Sequence, residues 1–101
     1  MPTSRRLDEE EIARQVGDLA GWVGDTAALR RTYEAPDFPT AILLVDEVAR
    51  DAEEMDHHPD IDIRYRAVTF VLWTHVAGGV TQLDIELAHR IADHADRLGV
   101  Q

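Results

Sequence analysis

Five histidines stand in a chain of 101 residues that has no cysteine. Three of them fall where a fold could gather them. His57 and His58 are adjacent and directly precede Pro59, and His75 comes shortly before the pair Gly78-Gly79. An imidazole titrates at about 6.5 when unperturbed, so it can give and take protons near neutral pH. Two or three of them at one rim could act on opposite sides of a small substrate. Neutral imidazole is also a common metal ligand. Adjacent histidines diverge on most backbones, however, and no H-x-x-x-H pair and no cysteine accompanies them, so the residues give no support for a metal. A third use is structural, with histidines capping a helix, since this residue type is intermediate in burial. Residue types alone leave acid–base chemistry and structure open. Without cysteine there is no thiolate nucleophile, disulfide, iron–sulfur cluster or cysteine zinc site. His89 and His94 are five apart, share no helix face, and read as surface residues.

These histidines must be positioned by the elements around them. Asp8, with Glu11 three residues on, marks a helix start, and Ile12, Val16 and Leu19 supply one apolar face. Gly17, Gly21 and Gly24 break that pattern. Two short strands are expected between Trp22 and Glu34, bounded by those glycines and by Pro36. Asp37 is a good N-cap for the longest helix, with Pro39 in its first turn, where a missing N–H costs little. Its apolar stripe reads Phe38, Ala41, Ile42, Val45, Val48, Ala49 and Ala52. Leu43 and Leu44 widen the stripe, toward the core or toward a partner helix. Pro59 stops the helix and pushes His58 toward extended backbone. Ile61, Ile63 and Tyr65 alternate with polar residues as in a half-buried strand. Tyr65-Arg66-Ala67 reads as a turn. Six of the seven residues from Val68 to Thr74 are β-branched or aromatic, which marks a second strand with His75 at its end. Thr81 with Asp84 is a variant capping box. Leu83, Leu87, Ile91, Ala95 and Leu98 form a last amphipathic helix, stopped by Gly99. The fold class is α+β: helix, two strands, helix, two strands, helix. The economical packing is one antiparallel sheet with the helices on one face, because each helix has a single stripe to bury.

Length allows one domain, residues 1–101, and excludes separate cofactor and substrate lobes. Ten basic residues against 20 acidic ones give a net charge of −10. Such a field repels phosphate backbones, and two Arg-Arg pairs are too few for a basic patch, so direct nucleic-acid binding is not expected. No apolar run nears the roughly 20 residues of a membrane span. No signal region follows the N-terminal arginines, so the default location is cytoplasmic.

The string Glu53-x-x-x-His57-His58-Pro59, followed after five residues by Tyr65, after nine more by His75 and after eight more by Asp84, resembles the signature of the pterin-4a-carbinolamine dehydratases. That family is also known as the dimerization cofactor of a homeodomain transcription factor. Gly21-Trp22, Ala52-Glu53, Thr74-His75 and Gly78-Gly79-x-Thr81 fit the same pattern, which runs from about residue 7 to 98. The resemblance implies a four-stranded antiparallel sheet with three helices on one face. It implies dehydration of 4a-hydroxytetrahydropterin to quinonoid dihydropterin, which regenerates the cofactor of aromatic amino-acid hydroxylases. No metal and no further cofactor is implied. By the same likeness His57 and His75 are the acid–base pair and His58 binds or orients the pterin. Glu53, Asp56, Pro59, Thr74 and Asp84 are substrate-binding or supporting; a carboxylate can fix a histidine tautomer. Asp84 is equally readable as a helix cap and Glu53 as a solvated helix residue. Tyr65 reads as core or site, and Trp22 as core. Family members form dimers through the sheet edge and tetramers through helices, and some bind protein partners or act as assembly factors. Asp60-Ile61 departs from the acidic-Trp pair of many animal members, which bears on partner choice or substrate contacts more than on the reaction.

Overall fold

A computed structural model describes residues 5–101. Its elements follow the expected order: α1 (Glu9–Val16), β1 (Val23–Gly24), β2 (Leu29–Glu34), α2 (Phe38–Met55), β3 (Asp60–Arg64), β4 (Ala67–Leu72) and α3 (Gln82–Leu98). The sheet is antiparallel throughout, in the order β1-β2-β4-β3. Register decides which side chains meet the helices. Leu29 lies opposite Leu72, and Tyr33 opposite Val68. These four, with Phe70, are buried. Their neighbours Arg30, Thr32, Thr69 and Val71 take the other face, as the two-residue period of a strand requires. Leu44 and Val48 of α2 and Ile85, Leu87 and Ile91 of α3 complete one core on the helical side. No helix among the described residues is long and apolar enough to cross a membrane.

Each helix start follows its sequence signal. Asp8 and Glu11 close a reciprocal capping box on α1. Asp37 accepts the Thr40 N–H at α2, and Thr81 and Asp84 close a second box on α3. Glu11 also pairs with Arg5 at 2.8 Å. The Arg5 guanidinium and the Asp8 backbone N–H hold the Glu11 carboxyl down from its ordinary 4.5 to about 2. A carboxyl lowered on folding stabilises the fold above its ordinary value, and that contribution fades as pH falls toward the folded value. Glu11→Gln is therefore expected to lower thermal stability at neutral pH. Its stability curve should converge on that of the parent as pH drops from about 4.5 to 2, measured by thermal unfolding across that range.

Gly21 adopts φ +80, and a Cβ there would meet the Arg31 guanidinium. That guanidinium lies 4.0 Å over the Tyr33 ring and donates to the carbonyls of Ala20 and Gln101, pinning the end of the chain against β2. Gly21→Ala meets the left-handed backbone, while the Arg31 side-chain tip can give way. It is expected to destabilise by about 1 kcal/mol, read as a shift in the denaturant midpoint at unchanged slope.

Several sequence readings need correction. β3 is exposed along its whole length, not half-buried. Ile61 and Ile63 face the helical side opposite Phe70 and Val68, but at the sheet edge no helix reaches over them. The turn is Tyr65-Arg66 alone, and Ala67 already belongs to β4. Tyr65 is not core: it projects from the hairpin at φ +55, 72% exposed. β4 ends at Leu72, so His75 opens a single 3-10 turn (His75–Ala77) instead of ending a strand. On α2 the buried row is Ala41, Leu44, Val48 and Ala52. Phe38 and Leu43 stay exposed and Ala49 does too. His94 is not a surface residue: it is largely buried between α2 and α3, bonded to Asp51. His89 is exposed, as expected.

Candidate active site

Two chain breaks bring the histidines to one rim. The first is the end of α2. Asp56 takes the left-handed conformation at φ 50, ψ 46, and the His57 N–H turns back to the Ala52 carbonyl at 2.9 Å. This Schellman-type closure satisfies the last helical carbonyls and reverses the chain sharply, with Pro59 preventing any continuation. The second is the loop after β4. Thr74 and Gly79 form an isolated antiparallel bridge, and the Gly78 N–H donates to the Thr74 carbonyl at 2.9 Å. Gly78 sits at φ +71. A Cβ on Gly79 would come within 2.5 Å of the Thr26 carbonyl. The glycine pair thus lets a tight loop lie against the β1–β2 turn and hold His75 outward.

Between the two breaks lies a cleft of about 390 Å³, lined by Asp56, His57, His58, Trp73, Thr74, His75, Val76 and Leu83. Of the residues singled out from the sequence, His57, His58, His75, Asp56 and Thr74 line it directly. Asp84 lies behind His57, and Glu53 reaches the rim only through His58. Pro59 shapes the backbone beside the cleft without lining it.

The three histidines are held in three different ways. His57 is buried, and its Nε2 lies 2.6 Å from Asp84 Oδ1. Asp84 is completely buried. Its Oδ2 accepts the Thr74 hydroxyl at 2.8 Å and the Thr81 N–H at 2.9 Å. Since Thr74 has spent its one proton on Asp84, the 2.8 Å hydroxyl pair between Thr74 and Thr81 runs from Thr81 to Thr74. The Thr81 oxygen in turn accepts the Leu83 N–H at 3.3 Å. Both groups on Asp84 Oδ2 are donors, which suits a carboxylate there. An ionised Asp84 accepts the Nε2 proton of His57 and leaves Nδ1 as the free basic nitrogen. His58 is exposed and bonded through Nε2 to Glu53 at 2.5 Å. His75 is exposed and has no side-chain hydrogen bond among the described residues. Its ring stacks on Trp73 at 3.8 Å, with 19° between the planes.

Thr81, Trp73 and Leu83 were not singled out as site residues in the sequence. Thr81 reads as a helix cap and as part of the Gly78-Gly79-x-Thr81 segment, and the second use of its hydroxyl shows up only once β4 and α3 are packed together. Trp73 reads as one more apolar residue in a strand. Among the described residues no cluster of three or more metal-ligating side chains occurs.

The family model for pterin 4 alpha carbinolamine dehydratase matches residues 5–94. A Nocardia farcinica protein named "Putative pterin-4-alpha-carbinolamine dehydratase" is 50% identical over 93 residues, covering 92% of this chain and 98% of its own. A Mycobacterium tuberculosis protein of the same name is 48% identical over 85 residues, covering 84% and 90%. The crystal structure of a transcriptional coactivator/pterin dehydratase from Brucella melitensis superposes with a TM-score of 0.86. It is 36% identical and covers 90% of this chain and 99% of that one. A pterin dehydratase-like RuBisCO assembly factor of the alpha-carboxysome shares the fold at TM-score 0.61 and 20% identity, covering 73% and 86%. With nearly the whole chain matched in sequence and in fold, this protein belongs to the pterin-4a-carbinolamine dehydratase family.

Proposed function

We propose that this protein dehydrates a 4a-hydroxytetrahydropterin to the quinonoid dihydropterin by histidine acid–base catalysis, within tetrahydropterin recycling. The observation that carries the reading is the buried Asp84–His57 pair behind a cleft that His58 and His75 also line. Loss of water from the carbinolamine breaks the C4a–O bond. It needs a proton delivered to the departing hydroxyl and a proton removed from N5, whose electron pair closes the C4a=N5 double bond. His57, with Nε2–H tied to Asp84, presents Nδ1 as the base for the N5 proton. The Asp84 carboxylate steadies the imidazolium that forms, as in other carboxylate–histidine pairs. His75 is open to solvent, so it can deliver a proton to the hydroxyl and be recharged from water. His58, restrained by Glu53, orients the ring, with Asp56 and Thr74 at the cleft wall. The step is redox-neutral and the pterin is the substrate, so it calls on no cofactor.

The test is direct. Purified protein should accelerate 4a-hydroxytetrahydropterin dehydration above the spontaneous rate, followed by ultraviolet absorbance. A rate equal to the spontaneous one overturns the proposal. It would leave the alternative, a protein-interaction module such as a dimerization cofactor or assembly factor. A second observation favours self-association alongside catalysis: β3 is an unpaired edge with Ile61 and Ile63 exposed, and α2 exposes Phe38 and Leu43. Apolar edges of this kind are normally covered. A homodimer or homotetramer is the proposed state, and sedimentation at the monomer mass would oppose it.

A further inference from the structure

His57 and His58 are each fixed by a carboxylate, while the His75 side chain has no hydrogen bond among the described residues. An exposed histidine on a single 3-10 turn has free side-chain torsions, and a proton donor that wanders loses effective concentration at the reacting atom. Its ring is stacked face to face on Trp73, with centroids 3.8 Å apart. Trp73 is itself braced. It is half-buried at the end of β4, and its indole N–H points to Asp60 Oδ2 of β3 at 3.4 Å. A prop thus runs from the edge strand through an indole to the third histidine.

We propose that Trp73 is a positioning residue for the reaction: it holds the His75 imidazole in its working plane by stacking, with Asp60 bracing the indole. The inference rests on the reading of His75 as an acid–base group. A flat ring in van der Waals contact restricts rotation without consuming either ring nitrogen, so both stay available for proton transfer. That is the service a carboxylate partner could not give at this position. It also sets His75 apart from His57, where one nitrogen is committed to Asp84.

The test compares Trp73→Ala with Trp73→Phe in the full-length protein. Trp73→Ala is expected to lower kcat by about 10–100-fold, the usual scale for a misplaced catalytic group. KM should move less than kcat, because the acting nitrogen is misplaced while His58, which orients the ring, is untouched. Trp73→Phe keeps a stacking face and should recover most of the loss. A readout independent of activity is the proton NMR spectrum of the histidine rings. The His75 signals, identified by their disappearance in His75→Ala, should be shifted upfield by the indole ring current and should lose that shift in Trp73→Ala. Unchanged kcat in Trp73→Ala, or His75 signals without the shift, overturns the role of Trp73 and leaves the dehydratase reading standing. A parent protein that shows the shift but no turnover overturns the reaction, and the proposed role of Trp73 in it falls as well.

Discussion

Replacing His57 by alanine is expected to slow carbinolamine dehydration by about 100–10,000-fold, the range in which a positioned acid–base group contributes. The loss should lie in kcat more than in KM, because His57 is assigned to the proton on N5 and not to gripping the ring. The substitution also leaves buried Asp84 Oδ1 without its partner at 2.6 Å, which costs about 1–3 kcal/mol of stability. Activity should therefore be measured well below the unfolding midpoint, where the folded population is complete. His75→Ala, which removes an exposed group, should lower kcat on a similar scale with little change in stability. Losses below a few-fold from both substitutions would contradict acid–base catalysis by this pair. Rates can be followed by stopped-flow absorbance on freshly generated carbinolamine.

The second large effect comes from a residue that never touches substrate. Asp84→Asn keeps size and shape but must divide its two ends between a donor and an acceptor. The Oδ2 site receives two donors, the Thr74 hydroxyl and the Thr81 N–H. The asparagine oxygen therefore belongs there, and its NH₂ group turns toward His57. Nε2 of His57 must then accept, which moves the ring proton to Nδ1 and offers the substrate a donor where a base is needed. A drop in kcat of about 100–10,000-fold is expected, with the fold retained. Heteronuclear NMR of the His57 ring should report the exchanged tautomer directly. Unchanged kcat, or an unchanged tautomer, would contradict the assignment. Asp84→Ala should be worse for the fold, since it strands the Thr81 N–H and the Thr74 hydroxyl in a dry site at about 1–3 kcal/mol each.

Both predictions depend on a residue that the sequence shows twice over. Thr81 and Asp84 form a capping box because they open a helix, and that much follows from three-residue spacing. The capping carboxylate has a second oxygen free, and only the packing of α3 beside the end of α2 puts His57 against it. Spacing along the chain carries no information on a contact between residues 57 and 84. The same limit explains the misreadings. Ile61 and Ile63 alternate like core residues, and their side chains do face the helical side. Whether a helix covers them depends on strand order, and β3 falls at the edge. His94 has the look of a surface residue on its own helix, yet Asp51 of α2 closes over it.

What the sequence determined by itself was local. Helix starts and stops, strand periods and the breaks at Pro59 and Gly78-Gly79 are short-range effects of backbone conformation and hydrogen-bond capping, legible within a few residues. The motif of histidines and carboxylates was legible as a resemblance, and the family comparison bears it out. The tertiary structure decided how each histidine is held: His57 by a buried carboxylate, His58 by an exposed one, His75 by an indole face. Those three environments come from residues 27, 5 and 2 positions away in the chain, respectively. They exist only because antiparallel pairing and one shared core bring a helix end, a strand end and a helix start to the same rim.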